Sequence, residues 1–199
     1  MRVLAIGAHP DDIEIACSGT LAKCVKRGDK VIVCHASTGN LGHVIIPPDE
    51  LTKIRKKEAE TAGSLAGIEV IGGMFNDLDI FDNNKAARDK MVEVIKYAQP
   101  DFIITHNPDD YMPDHTAVSR LVFDASFTAT LPNYKCGGEK AAKLVPIYYM
   151  DTLAGVNFNP TEFVDISGEI DLKIKMLECH ESQLVWMREH DGIDFADMV

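Results

Sequence analysis

Short apolar segments alternate along this chain with segments of helical periodicity, and this order constrains the fold more than any other feature. The apolar runs at residues 3–7, 31–34 and 102–104 lack the apolar/polar alternation of a half-exposed strand, so both of their faces are expected to be covered. Strands that alternate with helices form right-handed crossovers and a mostly parallel sheet. We therefore predict an α/β protein with a three-layer, Rossmann-like fold, in which helices flank a mostly parallel sheet.

Glycine, proline and the changes of periodicity set the expected bounds of each element. Gly28 and Gly67 end the first two helices, and Pro100 follows the third. The stretch 131–143, rich in proline, glycine and lysine, is predicted to be a loop. The predicted strands are 3–7, 30–36, 69–74, 101–106 and 145–150, with a short one at 163–164, and the predicted helices are about 12–27, 47–66, 85–98, 114–129 and 171–187.

The composition argues against several classes of protein. The 199 residues are 46% apolar and 26% charged, as in an ordinary soluble domain, and the length favours a single domain. The net charge of -11 argues against a nucleic-acid backbone or an anionic membrane as partner. No apolar run approaches the roughly 20 residues of a membrane span. The N-terminus has no signal-peptide pattern, and the five cysteines form no C-x-x-C pair, which predicts a reduced, cytoplasmic location.

Two polar segments follow the first and fourth predicted strands, His9-Pro10-Asp11-Asp12 and 108–115. The carboxyl ends of neighbouring parallel strands open into one crevice, so the two segments are expected to meet. Imidazole and carboxylate together suit zinc, with manganese, iron or cobalt as alternatives. Adjacent side chains diverge, so one aspartate can bind a metal while the other accepts a proton. The alternative is that Asp11 and Asp12 cap the next helix, and that Asp114-His115 is a cap beside a surface histidine.

Several segments together indicate a family. They are Ala8-His9-Pro10-Asp11-Asp12, the Ser18-Gly19-Thr20-Leu21-Ala22 that follows it, Ile54-Arg55-Lys56-Lys57-Glu58-Ala59, Pro113-Asp114-His115, and Phe163-Val164-Asp165-Ile166 leading to His180-Glu181-Ser182-Gln183. In these segments the sequence resembles the zinc-dependent N-acetylglucosaminyl deacetylases of the PIG-L/LmbE type. The resemblance runs from residue 1 to about residue 184, and it implies that residues 1–199 are a single LmbE-like deacetylase domain.

The resemblance implies a role for each matching residue. His9, Asp12 and His115 would hold one zinc ion, and Asp11 would be the general base. Arg55 would face the substrate, although an exposed pair with Glu58, three positions later on the helix, is the alternative. Tyr111, Met112 and Asp114 would line the substrate site. For His180 and Gln183, a polar helix end packed on the core is the favoured interpretation.

The sequence departs from the family pattern at Met112, where relatives commonly carry a histidine that stabilises the oxyanion or protonates the leaving amine. A thioether is a weak acceptor and cannot donate a proton. Either zinc polarises the carbonyl largely unaided, or another donor has moved in, with Tyr111 and His106 nearest in sequence. Asp114, which would orient the missing histidine, is then expected to serve mainly as a helix cap.

The leading hypothesis is a zinc-dependent hydrolase that removes an N-acetyl or other N-acyl group from a small amino-sugar conjugate. Zinc-bound water would attack the amide carbonyl, and Asp11 would accept its proton. The alternatives are a catalytically weak relative that binds metal and sugar, and a structural α/β domain without metal. Substrate specificity is expected in the loops around 39–50, 76–84 and 131–143. The sequence leaves the oligomeric state open, including a homo-oligomer whose second subunit completes the substrate wall.

Overall fold

The computed structural model describes residues 1–138, 140–190 and 192–194, and its strands form one sheet. The strands are β1 (Arg2–Gly7), β2 (Lys30–Ser37), β3 (Glu69–Phe75), β4 (Phe102–His106) and β5 (Ile147–Met150). Their order in the sheet is β3-β2-β1-β4-β5, and every pairing is parallel. The predicted α/β fold is confirmed.

Two predicted helices are each divided in the structure. Cys17 has φ -143° and ψ 5°, outside the helical region, so the predicted helix 12–27 becomes two helices. The predicted helix 171–187 is likewise interrupted at Cys179 and His180. Phe163 and Val164 are exposed and lie in no strand, so the short strand predicted there is wrong. The helices are α1 (Asp12–Ala16), α2 (Ser18–Lys26), α3 (Pro48–Ala66), α4 (Lys85–Ala98), α5 (Pro113–Thr128), α6 (Ile170–Glu178) and α7 (Glu181–His190).

Helices cover both faces of the sheet, which explains the continuous apolar character of the strands. Leu4 and Ile6 of β1 pack into a cluster with residues of α4 and α5. Val3 and Ala5, on the opposite face, pack with residues of α1, α2, α3 and α6. All four side chains are at most 1% exposed. Within the described ranges, no helix combines the length and the apolarity needed to cross a membrane.

The topology brings three chain segments to one edge of the sheet. Gly7 at the end of β1 is in register with His35 of β2, and Ile6 is in register with Thr105 of β4. The turn after β1 therefore lies between the segments that follow β2 and β4. Helix α5 starts a few residues after β4, at Pro113, whose fixed φ suits the first helical position.

Candidate metal centre

The Asp12 carboxylate lies among three imidazole rings. Its Oδ1 is 3.3 Å from Nε2 of His115, and its Oδ2 is 3.2 Å from Nε2 of His106 and 3.5 Å from Nδ1 of His9. The backbone N–H of His9 donates to the same Oδ2 at 2.6 Å, which fixes the carboxylate against the turn. One ligand atom from each of His9, Asp12 and His115 lies within 4.8 Å of the others. The structure thus brings together the three residues predicted as metal ligands.

His115 carries the observation that best fits a bound cation. Its Nε2 is buried and makes no well-aligned hydrogen bond among the described residues, although Oδ1 of Asp12 lies 3.3 Å away, and this is costly for a polar atom. Its Nδ1 lies 3.0 Å from Oδ2 of Asp110. A carboxylate that holds one ring nitrogen while the other faces a cation is the usual arrangement around a metal-binding histidine. Sequence reasoning assigned no role to Asp110, although it stands five positions before His115.

The charges at this site also fit a cation. Burial by itself would lower the pKa of His9, but Asp12 and Asp114 outweigh it and raise that pKa to about 10. Burial would raise the pKa of Asp12, yet His115 above all holds it well below its usual range. The carboxylates therefore stabilise positive charge where the three ligand atoms converge. Which metal would bind is left open by this chemistry, because imidazole and carboxylate suit several divalent ions.

The Asp11 side chain takes a different direction from that of Asp12. Its Oδ2 is 3.1 Å from Nη2 of Arg55, and its backbone φ is 122°. A non-glycine residue holds such a conformation only where its surroundings enforce it. Burial raises the pKa of Asp11 to about 6, and Arg55 opposes that rise. The two adjacent aspartates are thus separated into two environments, as expected for one ligand and one base, and both roles remain predictions.

Arg55 lies beneath this turn rather than at the surface. It is 3% exposed, and it donates from Nη2 to the carbonyl of Pro10 at 2.6 Å and from Nη1 to that of Gly39 at 3.2 Å. Glu58 instead accepts from the backbone N–H and the hydroxyl of Ser182, at 2.8 and 2.7 Å. The alternative prediction of an exposed Arg55–Glu58 pair is therefore wrong. A direct contact between Arg55 and substrate remains a prediction.

The other predicted substrate residues lie around the start of α5. Asp114 Oδ2 is 3.1 Å from Nε2 of His9 and accepts the backbone N–H of Leu78 at 2.8 Å, so Asp114 does more than cap a helix. Met112 is half-buried at the N-cap position of α5, without a side-chain capping bond. Tyr111 is 48% exposed. Their contacts with substrate remain predictions.

His180 and Glu14 form a buried polar pair beneath α1, and the sequence had drawn attention to His180 alone. His180 is 0% exposed, and its Nε2 lies 3.4 Å from Oε2 of Glu14. This position agrees with the interpretation of His180 as part of a polar helix end packed on the core. His35 places its Nδ1 3.1 Å from the carbonyl oxygen of His9. The sequence gives no signal for Glu14, because an acidic residue in the first turn of a helix is ordinary.

A cavity of about 290 Å³ opens beside the candidate metal centre. Lys173 reaches it from α6, is 6% exposed, and donates to the carbonyl of Ile15. No carboxylate of the described residues forms an ion pair with Lys173. Asp12 and His115, two of the predicted ligands, face the same cavity, so a bound small molecule could contact a metal held there. Other residues that line it are His106, Met150 and Thr152.

Comparisons with known proteins identify relatives of this chain. The diacetylchitobiose deacetylase of Thermococcus kodakarensis is 28% identical over 200 residues, which cover 93% of this chain and 72% of that protein. The 4-oxalmesaconate hydratase of Pseudomonas putida is 26% identical over 189 residues, covering 90% of this chain and 73% of that protein. The solved structure of the conserved protein TT1542 from Thermus thermophilus superimposes with a TM-score of 0.83 at 26% identity, covering 96% of this chain and 84% of that one.

A family model matches the part of the chain that carries the candidate metal centre. Residues 4–126 match the PIG-L family, described as GlcNAc-PI de-N-acetylase. This range includes both polar segments, from His9 to His115, and the strands that position them. The resemblance noted in the sequence is confirmed, and the chain belongs to the PIG-L family.

Proposed function

We propose that this protein is a metal-dependent hydrolase that removes an N-acetyl group from a small amino-sugar conjugate. The proposal rests on one observation above the others. The buried Nε2 of His115 makes no well-aligned hydrogen bond within the described part of the chain, and it lies beside Asp12 and His9. Family membership and a relative named as a diacetylchitobiose deacetylase support the reaction class and favour an enzyme over a catalytically weak binding protein. Zinc as the ion and a cytoplasmic location remain predictions from the sequence.

His9, Asp12 and His115 would hold the ion, which when bound supplies a water of lowered pKa and polarises the amide carbonyl. Asp110 keeps the His115 ring in place through Nδ1. Asp11 accepts the proton of the attacking water, and a carboxylate whose pKa is raised to about 6 is better matched to this task at neutral pH than an ordinary aspartate. Arg55 holds the Asp11 carboxylate in position, and the same Asp11 can then return the proton to the leaving amine.

Asp11→Asn tests the assignment of the base. We expect the zinc-loaded variant to bind one ion per chain with unchanged affinity and to lose at least about 100-fold in kcat on N,N'-diacetylchitobiose or N-acetylglucosamine conjugates, since general-base catalysis contributes roughly 10²–10⁴-fold. Asp109→Asn is the matched control, because Asp109 is an exposed carboxylate near the site. Wild-type activity in Asp11→Asn would remove Asp11 from the reaction. Failure of the wild-type protein to bind any divalent ion would remove the whole proposal.

A second candidate is the hydration of an unsaturated carboxylic acid. Lys173 favours it, because a nearly buried ammonium without a carboxylate partner among the described residues lines the same cavity as Asp12 and His115 and could receive a substrate carboxylate. The relative named 4-oxalmesaconate hydratase supports the same reaction class. Incubating metal-loaded protein with 4-oxalmesaconate and following the loss of conjugation by ultraviolet absorbance tests this candidate. Hydration that is lost in Lys173→Met would favour it, and no hydration by the wild-type protein would exclude it.

A further inference from the structure

A substrate acyl oxygen that gains negative charge needs a hydrogen-bond donor. The residues already assigned to the candidate metal centre offer no evident one. Met112, at the start of α5, has only a thioether, which cannot donate a proton. Asp114 is a carboxylate whose Oδ2 already contacts His9 and Leu78. Tyr111, the nearer of the two candidate donors in sequence, is 48% exposed and lies outside the residues that line the cavity beside Asp12 and His115.

His106 is the strongest candidate for such a donor. It is 2% exposed, it lines the cavity, and its ring stacks on that of His115 with centroids 3.8 Å apart and planes 15° apart. The backbone N–H of Ala8 points at Nε2 of His106, at 2.8 Å. Oδ2 of Asp12 lies farther from the same Nε2, at 3.2 Å, and the amide of Ala8 can only donate. A ring nitrogen that accepts an N–H carries no proton, so the neutral ring holds its hydrogen on Nδ1.

Nδ1 of His106 is free to donate. It has no hydrogen-bond partner among the described residues, whereas Nε2 is engaged. The stacking on His115 and the bond from Ala8 both restrain the ring, so the direction of Nδ1–H is set before any ligand arrives. A preorganised neutral donor of this kind stabilises a developing oxyanion without reorganisation.

We propose that His106 donates its Nδ1–H to the acyl oxygen of the substrate as that oxygen becomes negative. The proposal rests on the proposed hydrolase function for its substrate. His106 keeps its proton throughout, so no bond to hydrogen breaks at this residue. The bond to the oxygen shortens as negative charge develops, and it therefore acts on kcat more than on KM.

Two substitutions separate the two ring nitrogens of His106. Glutamine places a carbonyl near the Nε2 position, where it can still accept the Ala8 N–H, but it has no donor at the Nδ1 position. Asparagine places an NH₂ near Nδ1 and gives up the acceptor. For the zinc-loaded enzyme we expect His106→Gln to lose about 10²–10³-fold in kcat with KM within about threefold of the wild type, and His106→Asn to keep substantially more activity. His106→Gln with a wild-type kcat would overturn the proposal.

Two measurements do not depend on turnover. ¹⁵N NMR of the metal-free wild-type protein should show His106 protonated at Nδ1 and unprotonated at Nε2, and the opposite tautomer would overturn the proposal even if a variant fails to fold. Acetohydroxamate, an oxyanion-bearing acyl mimic, should bind zinc-loaded His106→Gln at least about tenfold more weakly than wild type by calorimetry, and equal affinity would count against His106. If wild-type protein cleaves no amide in any assay, the hydrolase proposal fails, and these measurements still decide whether His106 is a donor.

Discussion

Replacing the Asp11 carboxylate should stabilise the folded protein while it removes activity. Asp11 is 6% exposed, and burial raises its pKa from the ordinary 3.8 to about 6 in the folded state. Between these two values the folded protein holds a proton that the unfolded chain has lost, so stability falls as pH rises. At 1.36 kcal/mol per pKa unit, the ionised carboxylate costs the folded state about 3 kcal/mol above pH 7. Asparagine, which has nearly the same shape and tolerates positive φ, avoids this cost.

The assay compares thermal unfolding of metal-free wild type and Asp11→Asn from pH 4 to pH 8, with a chelator present. For a domain of this size, about 3 kcal/mol corresponds to an increase in Tm of about 6–12 °C at pH 8. The difference should shrink toward zero near pH 4, because the wild-type carboxyl is then protonated in the folded state. Asp109→Asn, the exposed control, should show no such trend. A difference in Tm that is absent at pH 8, or that stays constant across the whole range, would refute the reasoning.

Three further predictions follow from single contacts. Asp110→Asn should weaken zinc binding about 10–100-fold in a chelator competition, because the Asp110 carboxylate contacts Nδ1 of His115 and orients its ring. Equal zinc affinity in Asp110→Asn and Asp109→Asn would contradict that role. Gly39→Ala should lower the free energy of unfolding more than Gly155→Ala. Both glycines have positive φ, but only at Gly39 would an added Cβ lie 2.5 Å from Nη1 of Arg55. Equal losses of stability in denaturant titrations would contradict the close packing at Gly39. Adding zinc at 100 times its Kd to metal-free protein should stabilise the folded state by about 2.7 kcal/mol, and an unchanged Tm would mean that no ion binds the folded chain selectively.

The sequence predicted the sheet well because its signals are local and periodic. Apolar runs such as 102–104 reveal a strand covered on both faces, and glycine or proline marks where an element ends. The break at Cys17 was missed because the helical periodicity continues across it. Phe163 and Val164 look like a strand by residue type, yet a strand also needs a neighbour with free backbone groups, and this cannot be seen in a short segment.

Part of the site was predictable for a different reason. His9, Asp12 and His115 follow strands whose adjacency the topology dictates. The partners of these residues were harder to predict, because they depend on side-chain direction. Nothing in residue type indicates that Arg55 is buried against Asp11 or that Asp110 contacts His115. The tautomer of His106 is harder still to predict, since it depends on a backbone N–H that lies 98 positions away.

That bond between Ala8 and His106 joins the first strand to the half of the sheet that is synthesised last. During synthesis, β1 can pair with β2 early, but its other edge stays open until β4 leaves the ribosome. The Ala8 amide should therefore exchange its hydrogen with solvent only when the β1–β4 seam separates, which is an event close to global unfolding. Exchange at this single amide would then report on the core and on the intact metal centre at the same time.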